Sequence, residues 1–171
     1  IKSIDIIEDG KNESILKVKM DKPSFNPSDI PVILNKDRII NEAITIGGKK
    51  YYITCVSMGN PHCVIFEDEV YSLNIRDIGS QLSSHAMFPE GVNVEFVSVD
   101  NETNLIMRVW ERGSGETLAC GSGACASVVA AVENGYCKRG SDITVHLRGG
   151  KLKVNYSEEG VFLIGNAVKI F

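Results

Sequence analysis

Three features of this 171-residue sequence predict an α+β fold in which many short strands curl about one buried helix. From Ser122 to Asn134 the chain offers Ala124, Ala126, Val128, Val129, Ala130, Ala131 and Val132, apolar nearly all round, and a helix without a polar face belongs inside. Short runs of alternating apolar residues fill most of the remainder, separated by glycine-containing turns. One other segment, LNIRDIGSQLSSH, has helical spacing, with Ile75, Ile78 and Leu82 on one face.

Taken in order, IKSIDII and SILKVKM flank EDGKNE, whose Asp9-Gly10 supplies turn chemistry, so residues 1–22 read as a β-hairpin. Pro23, Pro27 and Pro31 then forbid both helix and central strand, and mark a crossover or lobe boundary. Gly47-Gly48 joins EAITI to KKYYITCVSM as a second hairpin. After the helical segment come the strands GVNVEFVSV, NLIMRVW, DITVHL, KLKVNY and GVFLIGNAVKIF, with Gly149-Gly150 and SEEG as turns among the last three. Gly135 stands where a glycine ends the buried helix.

Composition narrows the function classes. Apolar residues make up 43% and charged residues 23%, as in globular proteins, and the net charge of -4 argues against a nucleic-acid or anionic-membrane surface. No apolar run approaches the ~20 residues that span a bilayer, and the first residues lack the blocks of a signal peptide. Five cysteines without a CxxC pair suggest neither a disulfide scaffold nor a zinc ribbon, and fit the reducing cytoplasm. The chain starts at Ile1 in strand-like sequence, as a piece of a longer protein would.

The chemistry concentrates in GETLACGSGACASVV. Cys120 precedes the buried helix, and a helix N-terminus favours a thiolate, which predicts a lowered pKa. Gly121 and Gly123 allow close approach, and free N–H groups at Gly121, Ser122 and Gly123 suit an anion such as a carboxylate. A buried cysteine in a glycine-rich turn is the other reading of the same residues. Cys125 lies a turn inside the helix as core, and Cys55 and Cys137 read as structural.

In SMGNPHCVIF, Asn60 and His62 sit on a loop where a strand breaks; the amide can meet an ammonium or a carboxylate, and His62 can tune a thiol. A His62–Cys63 metal site is not expected, because strand neighbours point to opposite faces. In VWERGSGETLACG, Arg112 is a planar fork for a carboxylate, with Glu111 before it and Glu116 four residues ahead of Cys120; a plain Glu-Arg surface pair is the alternative. Asn93 opens a strand in EGVNVEF. His85 and His146 have no neighbouring chemistry.

GNPHCV, GVNVEF and ERGSGETLACGSGACA, in this order, resemble diaminopimelate epimerase, and KPSFNPSDIPV and GNAVKIF extend the resemblance weakly. It implies a diaminopimelate-epimerase-like lobe: a mixed strand barrel wrapped around the central helix, one of two pseudo-symmetric lobes. Such enzymes invert L,L-diaminopimelate to the meso form, a lysine and cell-wall precursor, without pyridoxal phosphate or metal, using one cysteine from each lobe. The resemblance makes Cys120 the cysteine of the C-terminal lobe. It gives Gly121 and Ser122 the carboxylate at the reacting carbon, and Asn60, Asn93, Arg112 and the Glu111 backbone the far amino-acid end. It also implies that His62 and Glu111 modulate the ionisation of the cysteine pair.

The other cysteine belongs to an N-terminal lobe, in a CGNG-like motif that this chain lacks. Residues 1–22 then read as the remnant of that lobe and 23–171 as the C-terminal lobe. The expected partners are a small amino-acid substrate, the missing lobe and a second copy in a homodimer. The fragment alone is expected to be inactive. Competing readings are a same-fold isomerase for proline, hydroxyproline or a phenazine precursor, and a non-catalytic anion-binding or dimerisation module.

Overall fold

The computed structural model describes residues 3–170, so the strand ends expected at Ile1, Lys2 and Phe171 lie outside the described residues. The first hairpin forms from β1 (Ile4–Asp9) and β2 (Glu13–Lys19). Residues 20–41 follow without a regular strand, the proline-rich stretch adding one 3-10 turn at Pro27–Asp29 capped by Asn26. The second expected hairpin is β3 (Glu42–Ile46) with β4 (Lys49–Ser57), turned by Gly47 and Gly48, both at positive φ. After β5 (Pro61–Phe66) comes α1 (Ile75–Ser83), N-capped by Asn74, whose side chain accepts from the Asp77 N–H.

Then follow β6 (Asn93–Asn101), β7 (Asn104–Glu111), β8 (Gly115–Thr117), α2 (Gly121–Glu133), β9 (Asp142–Leu147), β10 (Gly150–Ser157) and β11 (Gly160–Val168). The short β8 is unforeseen. It pairs back on β7 across a turn that Gly113 and Gly115 make at φ 81°, which a side chain would resist.

The strands form one sheet in the order β1-β2-β11-β10-β9-β7-β6-β5-β4-β3, with β8 attached to β7. All neighbours are antiparallel except β5/β6 and β7/β9. Parallel neighbours need a crossover, and each has a helix in its connection: α1 for the first, α2 for the second. The crossovers matter for function because β5 and β6 start level with each other, His62 beside Asn93.

The sheet curls about α2, as the apolar helix predicts. Ala124 to Ala131 are fully buried against Val56, Val64, Val97, Met107, Val145, Val154 and Val161, residues of seven strands. A second core fills the opposite face of β3 to β6, where Ile53, Cys63, Ile65 and Phe96 meet α1 through Ile75 and Leu82. Ile78 is half-buried there. Gly79 lets α1 rest on the Trp110 side chain: an added Cβ would lie 2.6 Å from Trp110 Cβ. Among the described residues, no helix is long and apolar enough to cross a membrane.

Candidate active site

Cys120 is the N-cap of α2, with extended backbone (φ -140°, ψ 113°), and its sulfur takes the role a serine oxygen usually plays. The Gly123 N–H donates to Sγ at 3.3 Å, and the Ser122 hydroxyl lies 3.6 Å from it. Gly121 and Ser122 form the first turn, where a helix offers its own N–H groups no acceptor. The side chain is 8% exposed, at the end of the core rather than within it.

Burial is the chief reason that the Cys120 thiol is pushed up to about 11; the Glu95 carboxylate adds to the rise, and Glu111 adds a smaller part. Ser122 and the Gly123 N–H pull the other way and lose. The lowered pKa expected from a helix N-terminus is therefore corrected. Desolvation and two carboxylates outweigh the Ser122 hydroxyl and the Gly123 N–H, so the fold favours the protonated thiol of Cys120.

The other expected residues converge on the same end of the sheet. Asn60, half-buried on the β4–β5 turn, donates from Nδ2 to Ser122 Oγ at 3.3 Å. Its Oδ1 is 3.0 Å from His62 Nε2, and His62, fully buried, faces Glu95 Oε1 from Nδ1 at 2.7 Å. Asn93 donates to the Pro61 carbonyl at 3.2 Å and accepts from the Arg112 N–H at 2.9 Å, tying β5, β6 and the end of β7 together. Arg112 is exposed; its Nη1 donates to the carbonyls of Glu90 at 2.8 Å and Gly91 at 3.4 Å.

The plain Glu111–Arg112 pair is absent among the described residues: the Glu111 carboxylate accepts from the Thr117 hydroxyl instead. Burial pushes the Glu116 carboxyl up, but Arg108 and Arg148 outweigh it and hold the group below its ordinary value, bonded at 3.0 and 2.9 Å. Glu116 therefore braces β7 and β8 rather than the thiol. His85 accepts from the Met87 N–H, and His146 meets Asn104 Oδ1 at 3.1 Å, both away from the site.

His62 turns toward α2 and Cys63 into the second core, opposite faces as strand geometry requires. Cys63 pairs across the strands with Cys55, whose hydrogen bond is the main reason its thiol is pushed well up, ahead of burial. Cys125 and Cys137 sit in the core around α2.

The residue that sequence reasoning missed is Glu95. It is a charged side chain at 0% exposure, diagonal to His62 on the face that meets α2. The signal was available in GVNVEF: Asn93 and Glu95, two apart on a strand, share a face, so an inward Asn93 implies an inward Glu95.

The family model for diaminopimelate epimerase matches residues 54–170, which contain every residue of this site. The chain belongs to the diaminopimelate epimerase family. It is 44% identical to the diaminopimelate epimerase of Halothermothrix orenii over 98% of its length, and 46% identical to that of Leptospira biflexa over 95%. Those alignments cover 59% and 58% of the two relatives, so the chain spans about three-fifths of the length of the epimerases it matches. A solved hydroxyproline epimerase from Agrobacterium vitis shares the fold, with a TM-score of 0.61 at 15% identity, covering 91% of this chain and 50% of that one. Of the residues that the resemblance groups, Asn60, His62 and Ser122 connect by hydrogen bonds toward the Cys120 sulfur, whereas Asn93 and Arg112 bond to each other and to the backbone of Pro61, Glu90 and Gly91.

Proposed function

We propose that this chain is the C-terminal lobe of a cofactor-independent diaminopimelate epimerase and supplies one of its two proton-carrying cysteines. The observation that carries the reading is the Cys120 sulfur at the N-cap of α2, with the Gly123 N–H and Ser122 hydroxyl on it. A protonated thiol in that position is equipped to deliver hydrogen to a carbanion on its face of the substrate, while a thiolate from the other lobe removes the α-proton opposite.

A thiol is a far stronger acid than an amino-acid α-carbon, so a base alone does not suffice. Negative charge growing on the substrate carboxylate needs fixed donors in a site closed to water. The Gly121 and Ser122 N–H groups are the donors proposed for it, strengthened by the helix dipole. Asn93 and the Arg112 guanidinium are proposed to hold the distant amino-acid end. Binding there helps to position the reacting carbon between two sulfurs. Asn60 has both ends of its amide engaged, with His62 and Ser122, so its substrate contact is proposed to come by exchanging one of these.

The relatives' greater length supports an N-terminal lobe as the partner, with residues 1–22 as its junction. The exposed Ile4, Ile6 and Ile7 on β1 offer apolar surface for that lobe or for a second copy. Five free cysteines support a cytoplasmic setting. Inversion of L,L-diaminopimelate by the chain joined to an N-terminal lobe tests the proposal. Turnover that disappears in C120A supports it; racemisation of proline instead of diaminopimelate, indifferent to R112A, overturns it in favour of the same-fold proline isomerases.

A further inference from the structure

Glu95 has a feature that packing does not account for. Its Oε2 is buried without a hydrogen-bond partner, the one such side-chain atom among the described residues. A buried acceptor left unsatisfied is costly, more so when it is charged, and native proteins hold few of them. From its other oxygen a continuous series of contacts runs to the proposed proton carrier: Glu95 Oε1 to His62 Nδ1 at 2.7 Å, His62 Nε2 to Asn60 Oδ1 at 3.0 Å, Asn60 Nδ2 to Ser122 Oγ at 3.3 Å, and Ser122 Oγ to Cys120 Sγ at 3.6 Å.

The direction of these bonds follows from counting donors. An ionised carboxylate and an amide oxygen only accept. With Oδ1 of Asn60 facing Nε2, this series of bonds is complete when both ring nitrogens of His62 donate. Asn60 Nδ2 then donates to Ser122 Oγ, and the hydroxyl proton is free to point at Sγ. A neutral His62 that donates from Nδ1 to Glu95 leaves a lone pair on Nε2. A half-turn of the Asn60 amide meets it: Nδ2 donates to Nε2, Ser122 donates to Oδ1, and the Cys120 S–H donates to Ser122 Oγ. Every bond beyond Glu95 survives, with its direction reversed.

We propose that Glu95, His62 and Asn60 are positioning residues for Cys120, forming a reversible hydrogen-bond chain that offers its sulfur a donor in one state and an acceptor in the other. This rests on the reading of Cys120 as a proton carrier. A sulfur that is a thiol before transfer and a thiolate after it needs an acceptor first and a donor second, and a fixed partner such as the Gly123 N–H can only donate. The charged groups facing the sulfur are Glu95 from β6 and Glu111 from the end of β7, with His62 of β5 behind Asn60. Both carboxylates oppose the thiolate, so the switchable hydroxyl is the adjustable part of the site.

The test is the rate of Cys120 alkylation by iodoacetamide at pH 8.5 in the 171-residue chain, read by peptide mass spectrometry. E95Q and N60A are each introduced alone and into S122A, forming two double-mutant cycles. E95Q accelerates alkylation by about tenfold in the Ser122 protein, through lost charge and through the chain. In S122A only the through-space part remains, and the acceleration falls at least about threefold. N60A changes the rate when Ser122 is present and not in S122A, and S122T, which keeps the hydroxyl, restores both couplings. Equal fold-changes with and without Ser122 overturn the proposal, as does a general loosening of the fold, which would speed alkylation alike in both backgrounds. Should E95Q fail to fold, the N60A cycle decides alone, since Asn60 and Ser122 are both half-buried at the site's edge. No turnover is needed, so a chain inactive toward diaminopimelate still reveals whether these hydrogen bonds couple to the sulfur.

Discussion

Replacing Gly123 by alanine sets two effects of opposite sign against each other. Gly123 is the third residue of α2, and alanine there gains about 1 kcal/mol of helix propensity over glycine. An added Cβ, however, would lie 2.8 Å from Glu95 Oε1 and 3.2 Å from both Cβ and Sγ of Cys120. Neither neighbour yields easily: the carboxylate is fully buried and tied to His62 at 2.7 Å, and the sulfur is tied to the Gly123 N–H itself at 3.3 Å. Overpacking of this kind costs about 1–3 kcal/mol, and shifting Glu95 strains its bond to His62 as well. The balance is a loss of about 1–2 kcal/mol, a drop in Tm of roughly 3–6 °C for a chain this long. Scanning calorimetry of G123A measures it. A Tm equal to or above that of the parent would mean that Glu95 and the sulfur have room to move, refuting so tight a site.

Four other positions carry predictions of their own. G79A in α1 drives a methyl group to within 2.6 Å of Trp110 Cβ and 2.7 Å of its ring, so urea unfolding should show a loss of about 2 kcal/mol or more despite better helix propensity. N93A strands the Pro61 carbonyl and the Arg112 N–H and should cost about 1–3 kcal/mol, whereas R112A, on an exposed side chain, should stay within about 0.5 kcal/mol in the same urea titration. The Cys120 thiol stands at about 11 against an ordinary 9.0, so the fold favours its neutral form. Its stabilising contribution is complete below pH 9 and lost as pH rises through 11, and the parent should lose about 2 kcal/mol relative to C120A across that window. Parallel stability curves for the two proteins would contradict the raised thiol.

Much of the fold is legible in the sequence because the signals are local. An apolar helix with a glycine at its end, two hairpins with glycine turns and a capped amphipathic α1 all depend on residues near in sequence. The parallel pairings of β5 with β6 and β7 with β9 are not local; they depend on where two crossover helices dock. The positions of Asn60, His62, Asn93, Arg112 and Cys120 are legible as motifs, but Glu95 hides inside one, because a glutamate in a strand ordinarily faces water. The sign of the Cys120 shift is hidden for the same reason. A helix N-terminus is visible in sequence, whereas the desolvation and the Glu95 carboxylate that overrule it arise only when β5, β6 and α2 meet.

The central claim is that the Cys120 sulfur carries hydrogen to and from an α-carbon. Its most direct test is the turnover of L,L-diaminopimelate in D2O, with deuterium wash-in counted only at the inverted α-carbon of the meso product and followed by NMR with the chain joined to an N-terminal lobe. Deuterium should enter with the parent protein and fall by a factor of about 10²–10⁴ in C120A, with diaminopimelate still bound. Wash-in within about tenfold of the parent in C120A would place the proton carrier elsewhere.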